Sequence, residues 1–239
     1  MGQEEALWSS DSQDGHVVPG IQLWIQARMS SRRFPGKVLA PFRGQPLIQH
    51  VIRSAATAVG IENVAVLTSD QSSDDPLAAY LDKLQVPILR GPLDDVFDRF
   101  RQAAEQWPCE RFIRICSDSP LLCADLLKDA ITTSAQLKAD MITNVDPRTF
   151  PKGQSLEIVK TSTFMAINPE DLTDHDREHV TPIFYRRRNH YRILNLRSPD
   201  SHWSEIVTTV DTLDDLRRLE ACDPTHALTL RIASIDQVS

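Results

Sequence analysis

The feature that most restricts this chain is an alternation. From residue 21 onward, short apolar runs rich in β-formers trade places with amphipathic runs of helical period. Strands are expected at 21–26, 63–68, 86–90, 111–115, 140–143, 156–160, 191–196 and 206–210. Helices are expected at 46–58, 74–84, 94–106, 121–137, 161–166, 176–189 and 212–221. A parallel strand pair needs a long crossover between its members, so this order predicts an α/β fold with a mostly parallel central sheet flanked by helices. Local signals agree with it. Pro46 opens one helix, the Asp74-Asp75-Pro76 run opens the next, and Thr212 with Asp215 three residues on forms a cap. Val96, Phe97 and Phe100 share one helix face, and Pro182 should kink or start a helix. Residues 146–154 hold two prolines and a glycine and read as a loop.

No linker or repeat divides the 239 residues, so 21–239 is expected to be a single domain. Residues 1–20 are polar and acidic, without the basic start and apolar core of a signal peptide, and read as a flexible extension. No run approaches the ~18 apolar residues of a membrane span. Acidic residues outnumber basic ones by 33 to 26, which argues against a nucleic-acid partner held through phosphates. The four cysteines, at 109, 116, 123 and 222, include no CxxC pair; they read as reduced thiols of a cytoplasmic protein.

Against that acidic average stands one basic loop. Residues 27–37 carry Arg28, Arg32, Arg33 and Lys37 without an acid, together with Ser30, Ser31 and Gly36. Open α/β sheets bind ligands at the C-terminal ends of their strands. Four cations there suit a polyphosphate, with Arg pairing bidentately and Lys acting as a point charge; a solvated basic loop is the plainer alternative. GxxxxGK[ST] is absent, so this is no Walker loop. Asp118 ends a buried strand before Pro120. It fits either a helix cap or a hard oxygen ligand for Mg²⁺ held jointly with phosphates. Asp94 and Asp95 read as acids favoured at a helix N-terminus.

The segment IQARMSSRRFPGKVL resembles IIQARMGSTRLPGKVL, the N-terminal signature of the spore-coat polysaccharide cytidylyltransferases. These belong with the CMP-Kdo synthetases and acylneuraminate cytidylyltransferases. Arg28, Arg33, Pro35, Gly36 and Lys37 match; Ser30 stands for a family glycine and Arg32 for a threonine. Further segments follow in the family's order. SDQSSDDPLAAYL resembles TSDxxxDDPL, and LRGPLDDVFDRF resembles RGxxDDVLxRY. RIRICSDSPLL resembles RITGDCPL, with Ser117 for Gly and Ser119 for Cys. NVDPRTFPKGQSLEIVK resembles NxxPRTYPDGLDVEVF, departing at Lys152, Gln154 and Ser155. DHDREHVTPIFYRR resembles DPFDREHVTPYI, and EIVTTVDTLDDL resembles RWTVDTPEDL.

The resemblance implies a Rossmann-like nucleotide-diphospho-sugar transferase (GT-A-like) fold. It implies that Ala27, Arg28, Ser30, Ser31, Arg33 and Lys37 wrap the triphosphate of CTP, with Arg90 near the nucleotide. Lys37, Arg28 and Asp118 become the catalytic candidates, and Asp118 and Asp211 the Mg²⁺ ligands. Arg148, Glu157, Arg177 and His179 are expected at a sugar-acid pocket near a homodimer interface. The implied reaction attaches CMP to a sugar or sugar acid for surface polysaccharide. A GT-A-type glycosyltransferase is the first alternative, though Ser117-Asp118-Ser119 lacks the DxD metal motif of that class. A nucleotide-binding member without turnover is the second, in view of Ser30, Ser117 and the changes at 152–155. The cytosine base rests on the resemblance alone; the loop's own chemistry speaks only for phosphates.

Overall fold

The computed structural model describes residues 20–222 and 230–238; the expected N-terminal extension falls outside them except for Gly20. In chain order the elements are β1 (Ile21–Gln26), β2 (Pro41–Phe42), β3 (Gln45–Pro46), α1 (Leu47–Val59), β4 (Val64–Ser69), α2 (Asp75–Lys83), β5 (Ile88–Gly91) and α3 (Val96–Gln106). Then come β6 (Arg111–Cys116), α4 (Ala124–Ser134), β7 (Met141–Thr143), β8 (Glu157–Lys160), α5 (Thr161–Met165), α6 (Asp174–His179), α7 (Pro182–Arg186), β9 (Ile193–Arg197), α8 (Leu213–Glu220) and β10 (Ser234–Gln237).

Eight strands form one sheet in the order β10-β9-β7-β8-β6-β1-β4-β5. β1 lies at its centre, parallel to β4 and β6, and β5 continues the parallel half beyond β4. β8 runs antiparallel to both β6 and β7, while β7 and β9 are parallel again. The mostly parallel α/β sheet expected from the alternation is therefore present, with β8 as an antiparallel insert.

Consecutive β1 residues divide between the two faces, as the two-residue period of a strand requires. Leu23 and Ile25 join an apolar layer with Leu47, Val51 and Leu126. Trp24 points into the other layer with Phe97, Phe100, Phe112 and Phe164. Its indole stacks on Phe112 at 4.6 Å between ring centroids. Both faces are covered at Leu23–Ile25, so the middle of β1 reads as an apolar run.

Several expected boundaries move. Residues 206–210 form no sheet strand; Val207 makes a single bridge to Lys152. Their backbone bonds go to loops: Thr208 N–H donates to the Lys152 carbonyl at 2.7 Å and Val210 N–H to the Asp118 carbonyl at 2.8 Å. The helix expected over 176–189 is two short helices, because Val180 turns to φ 72° and Pro182 begins α7 with no N–H to continue α6. The helix expected over 121–137 is narrower, at Ala124–Ser134. Asp74 makes no cap bond for α2. β10, with Ile235 its single apolar residue, gave too weak a pattern to expect. The Thr212–Asp215 capping box is present. Among the described residues, no helix is long and apolar enough to cross a membrane.

Candidate active site

The basic loop leaves the C-terminal end of β1 and folds back on itself. Ala27 N–H donates to the Leu67 carbonyl at 3.0 Å, and Ser31 and Gly36 N–H groups both donate to the Met29 carbonyl, at 2.9 and 2.8 Å. Gly36 has φ 73°, a left-handed turn that glycine takes without a Cβ clash, and it launches a single 3₁₀ turn at Lys37–Leu39. Asp74, wholly buried, fastens the loop to the sheet. Its carboxylate accepts from Met29 N–H at 2.6 Å and from the backbone N–H and hydroxyl of Ser69. Ser30 and Ser117 stand where the resembling family has glycine, and neither has a positive φ, so the serines strain nothing.

A cavity of about 390 Å³ opens beside this loop at the ends of β1 and β6. Lys37 stands at its floor with a side chain only 12% exposed. Its ammonium donates to the Val210 carbonyl at 2.8 Å, to Asp211 Oδ1 at 3.2 Å and to Asp118 Oδ2 at 3.3 Å. The two aspartates, far apart in sequence, meet because the Val210 N–H bonds the Asp118 carbonyl. Asp211 also receives Arg33 at 2.9 Å and Lys152 at 3.9 Å. Arg28 reaches across to Glu178 on α6 at 3.3 Å. Cations and carboxylates are thus interleaved at close range, an arrangement that an entering polyphosphate would re-pair.

A family model described as cytidylyltransferase matches residues 23–225. The chain belongs to that family. It is 31% identical over 206 residues to the spore coat polysaccharide biosynthesis protein SpsF of Bacillus subtilis (strain 168), covering 82% of this chain and 83% of the relative. It is 33% identical over 145 residues to a 3-deoxy-manno-octulosonate cytidylyltransferase of Anaeromyxobacter dehalogenans, covering 60% of this chain and 58% of that one. Among solved structures, a cytidylyltransferase from Leptospira borgpetersenii superposes with a TM-score of 0.80 at 26% identity, over 85% of this chain and 86% of the other. A CMP:2-keto-3-deoxy-manno-octonic acid synthetase complexed with CTP shares the fold, with a TM-score of 0.61 at 17% identity, over 84% and 97%.

Of the residues singled out from the sequence, this cytidylyltransferase brings Ala27, Arg28, Ser31, Arg33, Lys37, Asp118, His179 and Asp211 to the cavity wall. Ser30, Arg90, Arg148, Glu157 and Arg177 are not part of that wall. Arg90 is engaged with the Ser69 and Gln71 carbonyls and with Asp75 at 2.7 Å. Arg177 binds Asp95 at 2.5 Å and the Pro169 carbonyl, tying α6 to α3. Asp95 is the α3 cap, as expected of a helix-start acid. Half-buried Arg148 donates to Ser155 Oγ at 3.0 Å, and burial lowers its pKa. Glu157 is buried and accepts from Arg114 at 2.7 Å, Tyr185 at 2.8 Å and Thr181 at 2.9 Å. It therefore orients Arg114, which does line the cavity. Burial lowers the His179 pKa against the pull of Glu178, so the ring is neutral at neutral pH.

The sequence reading passed over Arg99 and Arg114, both on the cavity wall. A signal existed for each. Arg99 lies three residues after Val96 and four before Ala103, both buried, so it is a charge on an apolar helix face. Arg114 is a charge set within a strand whose other residues are mostly buried.

Proposed function

We propose that this cytidylyltransferase joins the CMP moiety of CTP to a hydroxyl of a sugar or sugar acid, and that the product feeds surface polysaccharide. The hydroxyl oxygen forms a bond to the α-phosphorus as its proton passes to solvent, and the bond to the oxygen bridging to the β-phosphorus breaks, releasing pyrophosphate. The observation that carries this reading is the Lys37 ammonium lodged between Asp118 and Asp211, beside a loop whose own sequence holds four cations and no acid. Lys37 would hold an oxygen on the transferred phosphoryl group, and Arg28 and Arg33 would take the charge that builds on the departing pyrophosphate. Each must first leave a carboxylate of the free protein: Arg28 leaves Glu178, and Arg33 leaves Asp211.

The donor set fits Mg²⁺. Asp118 and Asp211 converge on the Lys37 ammonium, at 3.3 and 3.2 Å, and Asp118 Oδ1 is engaged only by the neighbouring Ser119 hydroxyl at 3.2 Å. Mg²⁺ is commonly held by one or two carboxylates plus substrate phosphates. Asp118 and Asp211 would hold the ion, which neutralises phosphate oxygens when bound. Arg148 and His179 would recognise the sugar acid, with Glu157 acting through Arg114. The same reading makes the protein a cytoplasmic homodimer; its four cysteines are unbridged, as in a reducing compartment.

The test is pyrophosphate release from CTP and Mg²⁺ with a panel of sugar acids. Release that needs both CTP and one of the acids is expected. Release of a free nucleoside diphosphate from a sugar nucleotide would instead identify a glycosyltransferase. Tight Mg·CTP binding without turnover of any sugar would identify a binding protein. Light scattering of the full chain reads the dimer.

A further inference from the structure

Arg99 projects from the first turn of α3 and is only 2% exposed, yet it reaches the cavity wall. Its guanidinium touches no carboxylate. It donates at long range to two carbonyls, Leu67 O and Leu93 O, both at 3.4 Å, and its buried Nε–H has no partner. Burial, with Arg28 nearby, lowers its pKa to about 10 in spite of Asp74, Asp70 and Asp95 beyond contact distance. A buried charge without a partner destabilises a fold, and a well-packed apolar side chain would serve it at least as well. The cation is therefore kept for something that enters the cavity.

Position narrows what enters. Asp118 follows β6, the basic loop follows β1, and Leu67 is on β4, the next strand along. Neighbouring strands lie about 4.8 Å apart, so Arg99 sits about 10 Å along the sheet edge from the aspartate pair. A nucleotide whose α-phosphate lies at Asp118 and Asp211 would stretch its ribose past Ala27 and bring its base to Arg99. Ala27, which follows β1, and Val96, on the same helix as Arg99, line the cavity, small or apolar side chains suited to a flat ring.

We infer that Arg99 is the residue that reads the pyrimidine base, donating to the O2 and N3 acceptors of cytosine. Uracil carries an N–H at position 3 and would meet the guanidinium donor to donor. Discrimination between the two bases then resides in one buried fork of donors. This rests on the proposed use of CTP.

The experiment is calorimetric titration of the full-length protein with CTP and with UTP, each with Mg²⁺, for wild type, Arg99→Met and Arg99→Lys, alongside melting curves without nucleotide. Wild type should prefer CTP. Arg99→Met should melt at or above the wild-type temperature, since an unpaired buried charge is removed. It should bind CTP about tenfold or more weaker, the range for losing a hydrogen bond to a charged donor, with UTP changed much less. Arg99→Lys keeps the charge without the fork and should also lose the CTP preference. The inference is overturned if wild type does not distinguish CTP from UTP. It is overturned if either variant keeps the preference, or if both nucleotides weaken equally, which would place Arg99 on phosphate or ribose. Failure of wild type to bind CTP at all would instead remove the functional reading beneath it.

Discussion

Two sets of arginines and lysines in this molecule lead opposite lives. On α6 and α7, and at Arg187 just after α7, each of three arginines has a carboxylate and two have a carbonyl as well. Arg177 holds Asp95 and the Pro169 carbonyl, Arg186 holds Asp176 and the Asp171 carbonyl, and Arg187 holds the Asp171 carboxylate at 2.8 Å. Around the cavity the pairing is uneven. Asp211 is shared by Arg33, Lys37 and Lys152, and Arg99 has no acid in contact. Paired cations fasten helices together; cations that share an acid or lack one are left with unspent attraction for an anionic or acceptor-rich ligand. Replacing a member of the first set should therefore show in stability, and a member of the second in binding and turnover.

The sharpest break of this contrast is Lys37→Met. It removes the ammonium between Asp118 and Asp211 and leaves two carboxylates facing each other. Turnover, read as pyrophosphate release, should fall about a hundredfold or more, the scale of losing one preorganised charge stabiliser. Retained circular dichroism would confirm an intact fold, and turnover within about threefold of wild type would remove Lys37 from the proposed chemistry.

Asp176→Ala tests the other side. Asp176 is 1% exposed and closes a capping box with Thr173 while holding Arg186. Its loss should cost about 1–2 kcal/mol, seen as a lower melting temperature, with CTP affinity kept. Burial pushes its pKa up, but the bonds from Thr173 and Arg186 outweigh that and hold it below the usual value. A carboxylate with a depressed folded pKa adds stability above its unfolded pKa of about 4, and that stability is lost as pH falls toward the folded value. Wild type should thus lose stability below about pH 4 more steeply than Asp176→Ala in melts run from pH 7 to pH 3. Parallel curves would show that Arg186 and Thr173 contribute nothing through this group.

The same contrast explains what could be read without a structure. The alternation locates the parallel half of the sheet because β1 and β4 bury residues on both faces and carry apolar runs at Leu23–Ile25 and Val64–Leu67. The basic loop is legible because four cations cluster within eleven residues that hold no acid. Residues 206–210 were misjudged as a strand because they are apolar and extended, while their hydrogen bonds go to Lys152 and Asp118 rather than to a neighbouring strand. Composition cannot reveal that partner choice. The nearness of Asp118 to Asp211 was equally hidden, since it depends on one backbone bond across the fold. Arg177 and Arg90 looked like ligand groups from the motifs containing them, yet both are bound to neighbouring carbonyls and carboxylates. An arginine's charge is visible in a sequence, but whether an acid already answers it is not.

Gly91→Ala offers the finest adjustment of the comparison, because it moves Arg99 without changing any charge. A Cβ at position 91 would lie 2.8 Å from Arg99 Cγ and 3.3 Å from Gln102 Oε1. The first contact is with the stem of a buried side chain, pinned between α3 and the end of β5, so it cannot swing into solvent. The stem must shift, and the guanidinium at its end shifts with it, disturbing its long bonds to the Leu67 and Leu93 carbonyls. Overpacking of one methyl should cost about 1 kcal/mol of stability. If the fork reads a base, CTP affinity should also fall about threefold while UTP affinity stays level. A loss of stability with CTP preference untouched would mean that Arg99 need not be held in place to be useful, and the division between fastening and waiting cations would lose its strongest member.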